Sequence, residues 1–179
     1  MIVESLSRGM LSYITTRDQS LMRRLNGWRP PRWVRVWMVL ASRVGDGWLW
    51  YALGILLMMF GGPHRFVAVG AATLSAAISV GLFLRLKRVI GRKRPVAPHC
   101  WAKLLPPDQF SFPSGHSMTA FSVAVPLGLF YPPLQLGLLF CALSIALSRI
   151  LLGLHFLSDV IVGSAFGAIL GYTVYTLFQ

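Results

Sequence analysis

The sequence predicts an all-α integral membrane protein, with about five transmembrane helices and an N-terminal amphipathic segment lying at the interface. Three observations carry that expectation. Of 179 residues, 55% are hydrophobic and only 12% are charged. Residues 47–64, 66–84, 109–148 and 160–179 contain no Asp, Glu, Lys or Arg. The 17 Lys and Arg against 5 Asp and Glu leave a formal net charge of +12, crowded between those stretches. An intrinsically disordered chain combines high net charge with low hydrophobicity, so this composition excludes one. A soluble nucleic-acid-binding domain does not carry such long apolar runs. The expected partners are therefore phosphate groups and the membrane bilayer, with no nucleic acid.

The chain divides into an interfacial segment, residues 1–45, and a membrane-embedded bundle, residues 46–179. In the first part Trp33, Trp37, Leu40 and Val44 recur at helical spacing, while Arg35 and Arg43 fall elsewhere on the turn. That pattern suits a helix lying in the headgroup plane with its tryptophans at the boundary. Glu4, Arg8 and Asp18 interrupt any apolar core of a cleavable signal. Asp46 is expected to cap the first span, a role favoured over a catalytic one.

About 20 apolar residues, rising about 1.5 Å each, cross a hydrocarbon core. The uncharged runs give spans at roughly 46–62, 66–86, 115–131, 134–150 and 158–178, with Pro132 and Pro133 as the turn inside the longest run. Gly163, Gly167 and Gly171 share one helix face, where small residues let a neighbouring helix approach closely. Packing within the molecule is favoured over a dimer seam. Cys100 and Cys141 make no disulfide framework, and Cys141 reads as a packing residue in an apolar run.

Ionisable residues beside membrane spans are costly, so each invites a functional question. Lys87 and Arg94 are seven apart, which on one helix puts them on nearly the same face, with Pro95 ending the helix. Alone they also suit a headgroup anchor. Pro113-Ser114-Gly115-His116 opens an uncharged segment. Ser114 suits a helix cap, Gly115 admits a ligand to the backbone, and free N–H groups at a helix start bind phosphate. His116 there is either a proton donor or an interfacial histidine. Arg149, His155 and Asp159 form the third group. His155 and Asp159 face each other if a helix begins near Leu154, and the carboxylate then fixes the imidazole tautomer. Gly153 offers the break that brings Arg149 and His155 to one place. A structural His–Asp pair is the alternative. His64 and His99 have no partner at useful spacing and read as loop residues. The four histidines supply no metal-ligand set, so neither metal nor other cofactor is expected.

Three fixed cations, a helix-start nest, two histidines and a carboxylate are what phosphoryl transfer needs: charge neutralisation, a nucleophile and a proton for the leaving group. With five spans, all three clusters emerge on one membrane face.

The ordered set Lys87-x6-Arg94-Pro95, Pro113-Ser114-Gly115-His116 and Ser148-Arg149-x5-His155-x3-Asp159 resembles the type 2 phosphatidic acid phosphatase family, over roughly residues 85–178. The resemblance implies hydrolysis of a membrane lipid phosphate without a metal. In it His155 is the nucleophile that forms a phosphohistidine, Asp159 orients it, and His116 protonates the leaving group. Lys87, Arg94, Ser114, Gly115 and Arg149 hold the phosphate. For so short a chain it suggests a polyprenyl (undecaprenyl) diphosphate as substrate. Phosphatidylglycerol phosphate, phosphatidic acid, lipid A phosphate and polyprenyl-linked sugar phosphates stay open. A non-catalytic lipid-binding or transport protein is the reading from a different class.

Location divides two signals. The resemblance implies a bacterial inner-membrane protein with a periplasmic site. Sixteen of the 17 Lys and Arg lie on the catalytic face, only Arg65 opposite, and the positive-inside rule makes that face cytoplasmic.

Overall fold

The computed structural model describes residues 2–28, 30–95 and 109–179, with side chains from residue 14 onward apart from residue 26. His99 and Cys100 lie outside the described residues. The described elements are α1 (Ile2–Gly27), α2 (Arg32–Val44), α3 (Trp48–Phe60), α4 (Arg65–Ile90), α5 (Gly115–Phe130), α6 (Gln135–Leu151) and α7 (Leu157–Leu177). A 3₁₀ turn, Pro132–Leu134, joins α5 to α6 where the paired prolines forbid a continuous helix.

α4, α7 and α6 with its preceding turn are each long and apolar enough to cross a membrane. α3 and α5 are equally apolar but shorter. Thirteen residues make α3 only about 20 Å long at the helical rise, short of a hydrocarbon core about 30 Å thick. The outward faces are oily: Trp48, Ile55 and Phe60 on α3, Leu136 and Phe140 on α6, and Ile161 and Ile169 on α7 are all exposed. In lipid that is the favourable arrangement.

α5 forms the axis of the bundle, packed against α4, α6 and α7. Its sequence is apolar or small on every side, and ten of its residues are buried, from Gly115 to Gly128. The glycine stripe of α7 makes this packing possible. A Cβ at Gly163 would stand 2.7 Å from the Ser114 carbonyl oxygen, and one at Gly171 would stand 2.8 Å from Pro126 Cδ. At Gly167 it would collide with the Met118 carbonyl. The stripe is an intramolecular seam.

Three local expectations are corrected. α4 ends at Ile90, not at Pro95, because Gly91 adopts φ +61° and its N–H bonds back to Lys87 O. Arg94 therefore reaches the site from an extended segment, tied to the start of α5 by Ser111 N–H donating to Arg92 O at 2.7 Å. Asp46 does not cap α3. Gly47, at φ +115°, occupies that position without a side-chain bond. The last helix begins at Leu157 rather than near Leu154.

The N-terminal region forms two helices. α2 lies against α6, with Trp37 edge-on to Phe140 at 5.4 Å, and exposes Trp33, Leu40 and Val44. α1 touches the bundle through its C-terminal half, where Leu25 packs on Ala146, Ile150 and Val160.

Candidate active site

Lys87, Arg94, Gly115, His116 and His155 line one cavity of roughly 310 Å³ where α4 stops and α5 starts. The turn Gly45-Asp46-Gly47 and Tyr51 close its other side. Residues some seventy positions apart in sequence thus converge at one end of the bundle.

His155 is placed by the break after α6. Gly153 turns the chain at φ +71°, so that the Leu154 and His155 N–H groups both donate to Arg149 O, at 2.9 and 3.0 Å. The expected reversal therefore exists and brings the Arg149 backbone directly beneath His155. Arg94 Nη1 donates to Leu154 O at 2.9 Å and lies 2.9 Å from His155 Nε2. A guanidinium only donates, so Nε2 accepts and the imidazole proton is assigned to Nδ1. Burial, and then the charges of Arg149, Arg94, Lys87 and His116, hold the His155 pKa well below that of a free imidazole. The ring is neutral, with its lone pair turned toward the cavity wall that Arg94 occupies.

Asp159 stands behind it. Its Oδ2 accepts the Phe156 N–H at 3.0 Å and lies 3.7 Å from His155 Nδ1, and its Oδ1 accepts Arg92 Nη1 at 2.6 Å. The carboxylate faces the imidazole without a full hydrogen bond, because the late start of α7 commits Oδ2 to the helix cap.

Ser114 occupies the N-cap position of α5, but its hydroxyl does not cap. It lies 2.9 Å from the Ser117 hydroxyl, and the Ser114 N–H donates to Asp159 O at 3.0 Å. That last bond stitches the start of α5 to the start of α7. Gly115 faces the Phe83 ring, which a Cβ would meet at 3.1 Å. Lys87 is buried, its Nζ 5.4 Å from the centre of the same ring. Arg149 is fully buried beside the cavity and donates to Ser42 Oγ on α2 at 2.6 Å.

Three further groups stand around the site: Asp46, for which the sequence favours a cap over a catalytic role, and Arg92 and Asp18, which it does not single out. Asp46 Oδ1 lies 2.8 Å from His116 Nε2. Arg92 and Asp18 form a second layer around Asp159, with Arg92 Nη2 2.7 Å from Asp18 Oδ2. One signal was available. Only five acidic residues exist in the chain, and Asp18, Asp46 and Asp159 are three of them. Among the described residues, no three His, Cys, Asp or Glu side chains gather as metal ligands.

The chain is similar to known membrane lipid phosphatases. A decaprenylphosphoryl-5-phosphoribose phosphatase of Mycobacterium tuberculosis is 38% identical over 138 residues, covering 72% of this chain and 70% of its own. A lipid A 1-phosphatase of Rhizobium johnstonii is 36% identical over 107 residues, 56% of this chain. The matched part spans only 44% of that Rhizobium protein. Among solved structures, a transmembrane PAP2-type phosphatidylglycerolphosphate phosphatase from Bacillus subtilis superposes with a TM-score of 0.73 at 25% identity, covering 92% of this chain and 86% of its own. Helical membrane bundle and cationic two-histidine cavity together define the class, that of the integral-membrane phosphatases. The chain belongs to the PAP2 superfamily, whose sequence profile matches residues 65–179.

Proposed function

We propose that this protein removes the terminal phosphate of a polyprenyl-linked membrane lipid through a phosphohistidine intermediate, without a metal. The observation that supports the reading best is the convergence of Lys87, Arg94, Gly115, His116 and a neutral His155 on one cavity. His155 Nε2 attacks phosphorus, and Arg94, now bound to it, shifts its donors to the phosphate oxygens. Lys87, Arg149, the Ser114 hydroxyl and the Gly115 N–H complete the clamp, acting most strongly on the charge of the transition state. Asp159 stabilises the imidazolium, His116 protonates the departing oxygen, and water then hydrolyses the phosphohistidine.

The polyprenyl assignment draws on a second cavity, roughly 320 Å³, that opens beside the first and shares Gly47, Tyr51, Val80 and Thr119 with it. It runs between α3, α4 and α5 past Trp50, Val69, Ala72 and Leu127. The slot suits one extended chain better than the several acyl chains of lipid A. Polyprenyl diphosphate is the leading substrate. A polyprenyl-linked sugar phosphate is the second reading, favoured by the similarity to the Mycobacterium tuberculosis decaprenylphosphoryl-5-phosphoribose phosphatase.

Phosphate release from undecaprenyl diphosphate, a polyprenyl-phosphoryl sugar phosphate, phosphatidylglycerol phosphate, phosphatidic acid and lipid A, in one detergent, tests the assignment. The polyprenyl substrates should show the highest kcat/KM. Faster turnover of lipid A or phosphatidylglycerol phosphate contradicts the polyprenyl reading. No release from any, with no binding of vanadate, favours a lipid-binding scaffold. An N-terminal reporter fusion reads the side. A cytoplasmic N-terminus agrees with the arginine count, and a periplasmic one with the face that the family resemblance implies.

A further inference from the structure

Asp18 is buried although it lies on α1, outside the bundle. A buried carboxylate requires partners, and this one has two on other elements. Arg92 Nη2 donates to its Oδ2 at 2.7 Å, and the Ser158 N–H donates to its Oδ1 at 3.2 Å. The Ser158 hydroxyl donates to Oδ2 as well. Asp18 thus caps the first turn of α7 from another helix, satisfying an N–H that has no partner within α7.

The same guanidinium makes the second connection. Arg92 Nη1 donates to Asp159 Oδ1 at 2.6 Å and to Ser158 Oγ at 2.7 Å, while the group lies 4.2 Å over the Phe156 ring. One arginine therefore bridges a carboxylate on α1 and the carboxylate behind His155. By occupying Oδ1 it leaves Oδ2 as the oxygen turned to His155. Its charge would oppose the imidazolium that forms during attack if it acted on Asp159 alone. Asp18 divides that charge. Both terminal nitrogens of Arg92 are engaged by Asp18, Ser158 and Asp159, which sets it apart from the phosphate clamp.

We propose that Asp18 and Arg92 are positioning residues for the Asp159–His155 pair, so that α1 is part of the reaction machinery and not only an interfacial anchor. The inference rests on the roles given above to Asp159 and His155, and the experiment keeps the two apart. Asp18→Asn and Arg92→Gln are made in the full chain, alone and combined with Asp159→Asn. Phosphate release is measured with farnesyl diphosphate and with a short-chain phosphatidic acid, per folded protein counted by vanadate binding.

Each single variant should lose about 10-fold in kcat with KM within about 2-fold, the mark of an effect on the transition state rather than on binding. Placed on Asp159→Asn, each should cost less than about 2-fold more, because residues acting through one group are not additive. A wild-type kcat in Asp18→Asn overturns the proposal. So does a loss carried only by KM, or an undiminished 10-fold loss on the Asp159→Asn background, which marks a merely structural role. If Asp159→Asn alone keeps the wild-type rate, the catalytic reading of the pair falls instead. Should Asp18→Asn not fold, Arg92→Lys, which keeps the charge but not the two-sided fork, carries the same comparison with an expected intermediate kcat.

Discussion

His116 Nε2 lies 2.8 Å from Asp46 Oδ1, so each of the two histidines that line the cavity faces an aspartate, His155 with Asp159 behind it at 3.7 Å. The turn is shaped for the contact: a Cβ at Gly45 would stand 3.3 Å from His116 Cδ2. In the proposed mechanism Asp46 holds the ring that would deliver the leaving-group proton.

The leaving group should reveal that role. A polyprenyl diphosphate departs as a phosphate, a weakly basic group, whereas an alkyl phosphate departs as an alkoxide, a far stronger base that needs a proton as it leaves. His116→Ala should therefore cost on the order of 10²–10⁴-fold with alkyl phosphates, the usual range for a general acid, and distinctly less with diphosphates. Asp46→Asn should follow the same pattern at about 10-fold. Equal losses on both substrate types would assign His116 and Asp46 to binding.

Arg149→Ala should lower kcat on the order of 10²-fold or more, since buried donors of this kind act on developing charge. The bond from Arg149 to Ser42 ties α2 to the site, so Ser42→Ala should give a smaller loss in the same direction. Steady-state phosphate release checks both. A purely KM effect would contradict the assignment.

His155 should titrate below the free-imidazole value of about 6.5. Burial and the surrounding cations disfavour its protonated form, so lowering the pH through 6.5 leaves it neutral and competent as a nucleophile. Arg149→Met removes the largest charge repulsion acting on the ring, and the midpoint should rise. Histidine side-chain NMR in micelles reads it directly, and a wild-type midpoint at or above 6.5 would contradict the stated environment.

Gly163→Ala should perturb activity as well as stability, because the added methyl presses on the Ser114 carbonyl at the mouth of α5. Gly167→Leu should be worse, at about 1–3 kcal/mol or more of overpacking. Thermal unfolding in detergent measures both. Unchanged melting of the Gly167 variant would mean that α5 and α7 are not in contact there.

What the sequence disclosed follows from what is local. Spans were legible because lipid demands uninterrupted apolar runs, and the Pro132-Pro133 turn because proline leaves no alternative. The glycine stripe named its own face. The motif residues stood out as charges beside apolar helices, and the structure brings Lys87, Arg94, Gly115, His116 and His155 to one cavity. What was hidden is tertiary. Asp46 reads as a cap until His116, seventy residues away, is seen to approach it. Spacing from Lys87 singles out Arg94, but nothing along the chain gives the neighbouring Arg92 a partner. Only the left-handed turn at Gly91 decides that Arg94 meets His155 while Arg92 meets Asp159. The His155–Asp159 spacing suggested a hydrogen bond, and the capping of α7 by the same carboxylate holds it at 3.7 Å.

The central claim is that His155 carries the phosphoryl group. Rapid acid-free quenching of the protein with ³²P-labelled polyprenyl diphosphate, followed by base treatment and peptide mapping, tests it most directly. A base-stable, acid-labile label on His155 in wild type, accumulating in slow-hydrolysing variants and absent from His155→Ala, is the predicted result. Turnover at the wild-type rate by His155→Ala, or a label on another residue, would contradict the account.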